Sequence, residues 1–352
     1  MLNPLYLKVA QEVQGKNILV TGGTGSFGKV IVSNLLQFDP REIVIFSRDE
    51  DKQHNLINYY HNHEKKHKLR FVIGDVRDKE RVMEITRNID IIFHAAALKH
   101  VPYCEFHPYE AVKTNIVGAQ NVKNAAISNN VAKVIAISTD KAVTPVNAMG
   151  MSKAIQEKIM ISNSGREHNT TIAMVRYGNV IASRGSVIPF FLEKIQKKEP
   201  LSVTHKEMTR FLLTLQDAID LVFYALINMK GGEIFVKKAP SCNVYELAKV
   251  IGEVFGKDKN YPINIIGVRP GEKIHETLVS ESEMLRAKDE KEHYIIENYT
   301  KYFDPNSKTI FDPIEDKSLK NKILTEYNSK NTTLLSKEDI IELLETAGFK
   351  AP

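Results

Sequence analysis

The chain has 352 residues, of which 43% are hydrophobic and 26% charged, with a formal net charge of +5. This balance is ordinary for a globular protein that buries a sizeable core, and it excludes intrinsic disorder, a collagen-like repeat and a disulfide scaffold. No apolar run approaches the ~18 residues of a membrane-spanning helix, and the scattered lysines, with no binding motif among them, argue against nucleic acid as a partner.

Residues 1–16, MLNPLYLKVAQEVQGK, contain no long apolar core or small-residue cleavage site and read as a short leader segment, not a signal peptide. Cys104 and Cys242 are spaced for neither a metal nor a redox pair, so a reducing, cytoplasmic location and no metal are expected. From residue 17 to about 175, β-branched runs alternate with helical patterns: NILVT, EIVIF, LRFVI, DIIFH, KVIAIS and TIAMV. Strands this apolar, separated by helix-length segments, predict a doubly wound, Rossmann-type α/β domain over 17–176 with a parallel sheet covered on both faces. Beyond Arg176, glycine and proline punctuate the chain and the alternation weakens. Helical patterns near 216–228 and 243–256 and a strand at EIFVKK predict a smaller mixed α/β lobe. Residues 177–352 are thus expected to form mainly this substrate lobe and a C-terminal tail, with exchange of strands or helices between lobes. The stretch 295–330 is polar and carries no assigned element, while Ser336 caps a final helix that ends before Gly348.

The first strand runs into GGTGSFGK, where Gly22, Gly25 and Gly28 let the backbone turn tightly toward a pyrophosphate seated on a helix N-terminus. Thr24, Ser26 and Phe27 lie in the same turn. After the second strand, Ser47 and Arg48 offer donors to a 2′-phosphate, which favours NADP, whereas Asp49 is the acid that would meet the ribose hydroxyls of NAD. Asp75, beside Val76, is placed to accept from the adenine amine, and the small Ala95, Ala96 and Ala97 allow close backbone approach. Lys99, Asn115, Lys153 and Tyr177 complete the expected cofactor contacts.

Taken together, TGGTGSFG, FSRDE, GDVRD, FHAAALKHVP, STDKAVTPVNAMG, RYGNVIASRGSVIPFF, MTRF and RPGEKIHETL resemble the extended short-chain dehydrogenase/reductase superfamily. Within it they look like the 5-inverting UDP-N-acetylglucosamine 4,6-dehydratases of capsule and O-antigen biosynthesis, over about residues 17–280. The superfamily's Tyr-x-x-x-Lys falls on Met149 and Lys153. A thioether is only a weak acceptor, so Met149 cannot be the tyrosine base. The resemblance assigns Met-Gly-x-x-Lys to a branch linked to N-acetyl-L-fucosamine precursors.

That resemblance implies oxidation at sugar C4, removal of the acidified C5 proton, loss of the C6 hydroxyl as water, hydride return to C6 and inversion at C5. The product would be UDP-2-acetamido-2,6-dideoxy-L-arabino-hex-4-ulose. It further implies Lys141 as the C5 base, with a pKa depressed by burial beside the cofactor's positive nicotinamide and Lys153, Asp140 as the acid at C6, and Thr139 bonded to the C4 oxygen. The acceptor of the C4 hydroxyl proton is either Lys141 or a relay through water and ribose. For the UDP-sugar, the resemblance implies Lys99, His100, Asn179, Ser183, Arg210, Arg269 and Glu272, arginine being suited to phosphate by its planar fork. His275 reads as a hydrogen-bonded histidine, not a metal ligand. Similar dehydratases imply a homo-oligomer, with a hexamer by analogy. Two alternatives stand beside this reading: a UDP-glucose or UDP-N-acetylglucosamine 4-epimerase, and a non-catalytic NAD(P)-binding sensor.

Overall fold

Along β1 (Asn17–Thr21), Ile18 and Val20 face one side of a sheet and Leu19 the other, and all three are fully buried. This is the pattern of a strand covered on both faces. The computed structural model describes residues 3–162, 169–181, 186–299 and 325–349. β1 is joined in parallel by β2 (Glu42–Ser47), β3 (Leu69–Ile73), β4 (Ile91–His94), β5 (Lys133–Ile137) and β6 (Thr171–Arg176) in the spatial order 3-2-1-4-5-6. All six predicted runs are strands of one Rossmann-like sheet.

The first helix, α1 (Pro4–Val13), begins at an Asn3 cap whose side chain accepts from the Leu5 amide at 3.0 Å. Val9 and Val13 are fully buried and Tyr6 bonds Asp220 at 2.6 Å, so most of the stretch read as a leader is a helix packed on the core. One face of the sheet is covered by α2 (Ser26–Gln37), and α3 (Glu50–Tyr59) follows β2. The opposite layer carries α4 (Lys79–Ile85), α5 (Val101–Phe106), α6 (Pro108–Ala111), a π-helical stretch at Val112–Val117, α7 (Gly118–Ser128) and α8 (Ala148–Ile161).

Past β6 the chain runs through β7 (Asn179–Val180), α9 (Val187–Gln196), β8 (Leu201–Val203), β9 (Thr209–Leu213), α10 (Leu215–Asn228) and β10 (Ile234–Lys237). It continues with β11 (Ser241–Asn243), α11 (Val244–Gly256), β12 (Ile263–Ile265), β13 (Thr277–Val279), α12 (Glu281–Met284), β14 (Ala287–Asp289) and β15 (His293–Ile296). Last come β16 (Tyr327–Asn328) and α13 (Lys337–Thr346), whose Ser336 cap and Asp339 form a reciprocal capping box.

The EIFVKK strand is not part of the smaller lobe. As β10 it pairs in parallel with β6, followed by the antiparallel β15 and β14, extending the sheet to 3-2-1-4-5-6-10-15-14. α10 returns to the main body with it, because Ile219, Leu221, Val222, Phe223 and Leu226 leave an apolar face too wide for a surface helix. The chain therefore crosses between lobes repeatedly after residue 176. The smaller lobe has its own core, with Ile188 and Phe191 of α9, Leu201, Leu247 and Ile251 of α11, and Ile340 and Leu344 of α13.

Arg176, at the end of β6, fastens α8 to the β13–α12 segment. Its guanidinium donates to Glu157 of α8 at 2.5 Å, to Glu283 of α12 at 2.9 Å and to the Leu278 carbonyl at 2.8 Å. The side chain is almost wholly out of water, and a cation so placed requires this complete set of acceptors. The Arg176 charge and bonds outweigh burial and lower the Glu283 carboxyl to about 2. Its contribution to stability is thus fully present above the ordinary glutamate range and is lost as pH falls from that range toward about 2. Replacing Arg176 by Met strands the buried Glu157 and the partly buried Glu283 carboxylates and is expected to cost about 3–5 kcal/mol in urea unfolding at pH 7. That cost should shrink at pH 3, where the carboxylates of the variant are protonated.

Candidate active site

Gly22 follows β1 with φ +69°, a left-handed conformation, and a Cβ there would meet the Ala96 amide at 2.8 Å. The loop after β4, carrying Ala95, Ala96 and Ala97, therefore closes directly over the turn. Gly25 occupies the cap position of α2 without a side-chain cap, so the first amides of that helix, at Ser26, Phe27 and Gly28, point toward solvent-side space for an anion. A dinucleotide pyrophosphate fits this cradle, whose turn depends on glycine because a Cβ at Gly22 would strike the Ala95–Ala96 backbone. Thr24 and Ser47 bond each other at 2.8 Å at the crevice wall.

Asp49 caps α3, accepting from the Lys52 amide at 2.9 Å, which commits part of its carboxylate. Arg48 is exposed and lies 3.7 Å from Asp75. Asp75 itself receives the Arg77 backbone at 3.0 Å and the Arg77 guanidinium at 2.7 Å, so its acceptor capacity is largely used before any adenine amine arrives. Val76 is buried. Asn115 is placed differently from expectation. It is fully buried within the π-helical stretch, and its amide spans the Leu98 backbone at 2.8 and 3.0 Å and Ser152 at 2.9 Å, fixing the loop after β4 onto α8. The Tyr177 ring is packed in the core beside β6, while its carbonyl accepts from the Asp140 amide at 3.2 Å.

Asp140 and Lys141 sit in a 3-10 turn at the carboxyl end of β5, with Thr139 as its cap. Asp140 is wholly buried: one oxygen accepts from the Thr139 hydroxyl at 2.8 Å and from the Lys141 ammonium at 3.0 Å, and Oδ2 has no protein partner. The Thr139 hydroxyl thus donates to Asp140, while its oxygen accepts from the Lys141 amide at 3.4 Å. Lys141 also lies 3.5 Å from Glu276 and 3.5 Å from the Asn179 amide oxygen. Burial alone would lower the Lys141 pKa, but the Asp140 and Glu276 carboxylates outweigh it and raise it above the ordinary lysine value. The expected depression of Lys141 is therefore corrected: the residue rests as an ammonium ion, because two buried anions face it.

α8 approaches this turn closely. A Cβ on Gly150 would stand 2.3 Å from the Lys141 carbonyl, so only glycine allows the helix and the Asp140–Lys141 turn to touch. Met149 is buried against Cys104, Ala111, Leu98 and Val101 in a small apolar cluster. One turn on, Lys153 donates to the Ile137 carbonyl and to Gln156, both at 2.6 Å, and burial lowers its pKa to about 8 despite the opposing charge of Glu157. His94, which the sequence reading passed over, bonds Thr21 at 2.8 Å through Nδ1; burial, then the Lys153 charge, lowers it to about 3 and keeps it neutral.

The second lobe reaches this centre through the loop before β13. Arg210 turns its fork to the backbone: it donates to the carbonyls of Thr209 at 2.8 Å, Lys273 at 2.9 Å and Ile274 at 3.1 Å, and so pins that loop. Arg269 is exposed and pairs with Glu272 at 3.5 Å, while Lys99 and His100 lie exposed on the loop after β4. Ser183 falls outside the described residues. His275 bonds Thr209 at 2.8 Å, and among the described residues no cluster of histidine, cysteine or carboxylate could hold a metal. Both cysteines are free and buried, and no described helix is long and apolar enough to cross a membrane. Asn147 links the lobes by donating to the Gly271 carbonyl at 2.8 Å while capping α8. Glu276, Lys273, Asn147 and Gly150 were missed in the sequence, although RPGEKIHETL and NAMG had been singled out as blocks.

A family profile described as "Polysaccharide biosynthesis protein" matches residues 18–298. A UDP-glucose 4-epimerase of Rickettsia felis is 45% identical over 341 residues, covering 94% of this chain and 95% of that protein. The X-ray structure of Pen from Bacillus thuringiensis superposes with a TM-score of 0.84 at 37% identity, covering 96% of this chain and 98% of that one. DesIV, a dTDP-glucose 4,6-dehydratase from Streptomyces venezuelae solved with NAD, has a TM-score of 0.66 at 21% identity over 73% of this chain and 86% of its own, which shows a shared fold. Gly150→Ala is expected to push α8 off the Asp140–Lys141 turn, lowering unfolding stability by about 1–3 kcal/mol. Urea titration of the variant checks this, and an unchanged midpoint would contradict the close approach.

Proposed function

The chain belongs to the polysaccharide biosynthesis family, with nucleotide-sugar epimerases and dehydratases as its relatives, and from that premise we propose that it is an NADP-dependent UDP-N-acetylglucosamine 4,6-dehydratase and 5-epimerase. The observation that carries this reading is the buried Asp140–Lys141 pair, 3.0 Å apart, beside a helix whose tyrosine position is Met149. Returning hydride to the carbon it left requires no second acid and base. Elimination across C5 and C6 requires both.

When bound, the dinucleotide would supply the hydride acceptor at C4 and the hydride donor at C6. Gly22, the open amides of α2 and Arg48 are the groups that would hold it, with Lys153 at the nicotinamide end. In the protein, Lys141 begins as ammonium and Asp140 as carboxylate. Transfer of one proton across the 3.0 Å contact gives a neutral amine and a carboxylic acid, the forms that can remove the C5 proton and protonate the departing C6 hydroxyl. After water leaves, Lys141 is again ammonium and Asp140 again carboxylate, so the pair is reset; the proton that the C4 hydroxyl gives up through the relay to solvent is balanced by a solvent proton that C5 takes up from the opposite face once hydride has returned to C6. An ammonium cannot accept the C4 hydroxyl proton, which leaves a relay for that step. Burial at the base of the cleft strengthens each of these interactions by excluding water.

C4 epimerisation alone is the second reading, and the name of the Rickettsia relative favours it over dehydration. Mass spectrometry after incubation with UDP-N-acetylglucosamine and NADP⁺ separates the two. A product lighter by one water supports the dehydratase, and a mass-neutral epimer the second reading. Lys141→Ala should reduce turnover by at least ~10²-fold while cofactor binding persists; equal turnover would remove Lys141 from the chemistry. For the cofactor, Arg48→Ala is expected to weaken NADP⁺ by roughly 10–100-fold and NAD⁺ little, as the loss of one charge-assisted phosphate contact implies. Equal losses for both dinucleotides in a fluorescence titration would count against NADP.

A further inference from the structure

We propose that Glu276 is a positioning residue that reaches from the second lobe to hold the Lys141 ammonium against Asp140, keeping one proton on that pair. The assignment rests on the dehydratase reading for its catalytic meaning, but not for its geometry. Glu276 is 2% exposed, Oε1 lies 3.5 Å from the Lys141 ammonium, and Oε2 is buried without a hydrogen-bond partner. Such a carboxylate is costly to bury unless cations face it. Three do: Lys141 at 3.5 Å, Arg210 at 3.9 Å and Lys273 at 3.9 Å.

The backbone of Glu276 is fixed independently of its charge. Its amide donates to the Ser329 hydroxyl at 3.0 Å, and its carbonyl accepts from the Ser329 amide at 2.8 Å. Ser329 is fully buried and bonds Thr209 at 2.7 Å and Ser241 at 2.6 Å, so a residue just after β16 anchors the carboxylate in front of the catalytic turn.

The charged groups facing Lys141 are few. Its own turn contributes Asp140, the loop before β13 contributes Glu276 and Lys273, and β9 contributes Arg210. From β7 it meets only the Asn179 amide oxygen, and on α8 the Lys153 ammonium is bound to Ile137 and Gln156. Glu326 acts on Lys273 from farther off. Glu276 and Asp140 are thus the two anions that keep Lys141 protonated. Loss of Glu276 makes Lys141 release its proton at lower pH, and the pair then loses its shared proton at lower pH too. Under the elimination chemistry the alkaline limb of kcat/KM reports that loss.

The test uses the full-length protein with cofactor, in wild type, Glu276→Gln and Glu276→Asp. Two readouts are compared: titration of Lys141 by NMR of labelled lysine, assigned with Lys141→Arg, and the pH profile of kcat/KM for UDP-N-acetylglucosamine. In Glu276→Gln both the Lys141 titration and the alkaline limb should move about one pH unit lower or more. Glu276→Asp, which keeps the charge but withdraws it, should fall between, and it carries the test if the glutamine variant does not fold. A Lys141 titration at the wild-type pH in folded variants overturns the proposal, as does a limb that stays put while Lys141 moves. If no UDP-sugar is turned over by the wild type but Lys141 shifts as stated, the hold of Glu276 on Lys141 stands and the dehydratase reading is what fails.

Discussion

A carboxylate with no exposure to water, Asp140, stands at the carboxyl end of β5, and the arrangement around it follows from making that burial tolerable. A lone ion removed from water would neutralise or unfold its surroundings. Here it accepts from Thr139 and Lys141, and Lys141 in turn meets Glu276 from the other lobe. The lysine is held charged by its two anions, and Glu276 is held by Arg210 and Lys273. A chain of alternating charge therefore runs from Asp140 through Lys141 and Glu276 to Arg210 and Lys273.

The fold supplies this meeting place by sending the chain back and forth. Because β10, β14 and β15 complete the sheet after the second lobe has begun, the loop before β13 is tethered on both sides to the main body. Arg176 adds a buried ionic fastening between α8 and α12, and Asn147 ties the start of α8 to Gly271. Met149 takes the tyrosine position without leaving a hole, since Cys104, Leu98 and Val101 pack around it. Its thioether fills space in that apolar cluster, and under the proposed chemistry the acid-base work falls to the turn of Asp140 and Lys141.

The sheet was legible in the sequence because strands buried on both faces are written as unbroken apolar runs, as in NILVT and KVIAIS, and the glycine turn was legible because its spacing is local. What periodicity does not encode is which strand lies beside which after the crossover: EIFVKK reads the same in either lobe, and only the packing of α10 places it in the main sheet. Single side chains were harder still. Arg210 and Asn115 were expected to bind ligands, yet Arg210 bonds backbone carbonyls and Asn115 bonds the Leu98 backbone and the Ser152 hydroxyl, a choice decided by distances of a few ångströms that a motif does not carry. Glu276 lies inside a block quoted for its resemblance, but nothing local marks it as the partner of a lysine 135 positions earlier. The raised pKa of Lys141 was hidden for the same reason.

These elements converge on one claim: the buried pair at residues 140 and 141 exists to remove and deliver protons at two adjacent sugar carbons. Transfer of hydride away from one carbon and back again would not use it. Proton NMR of the sugar product formed in deuterated water tests this most directly. The account predicts solvent deuterium at C5 of an inverted ring; a product altered only at C4, with its C5 hydrogen retained, would contradict it.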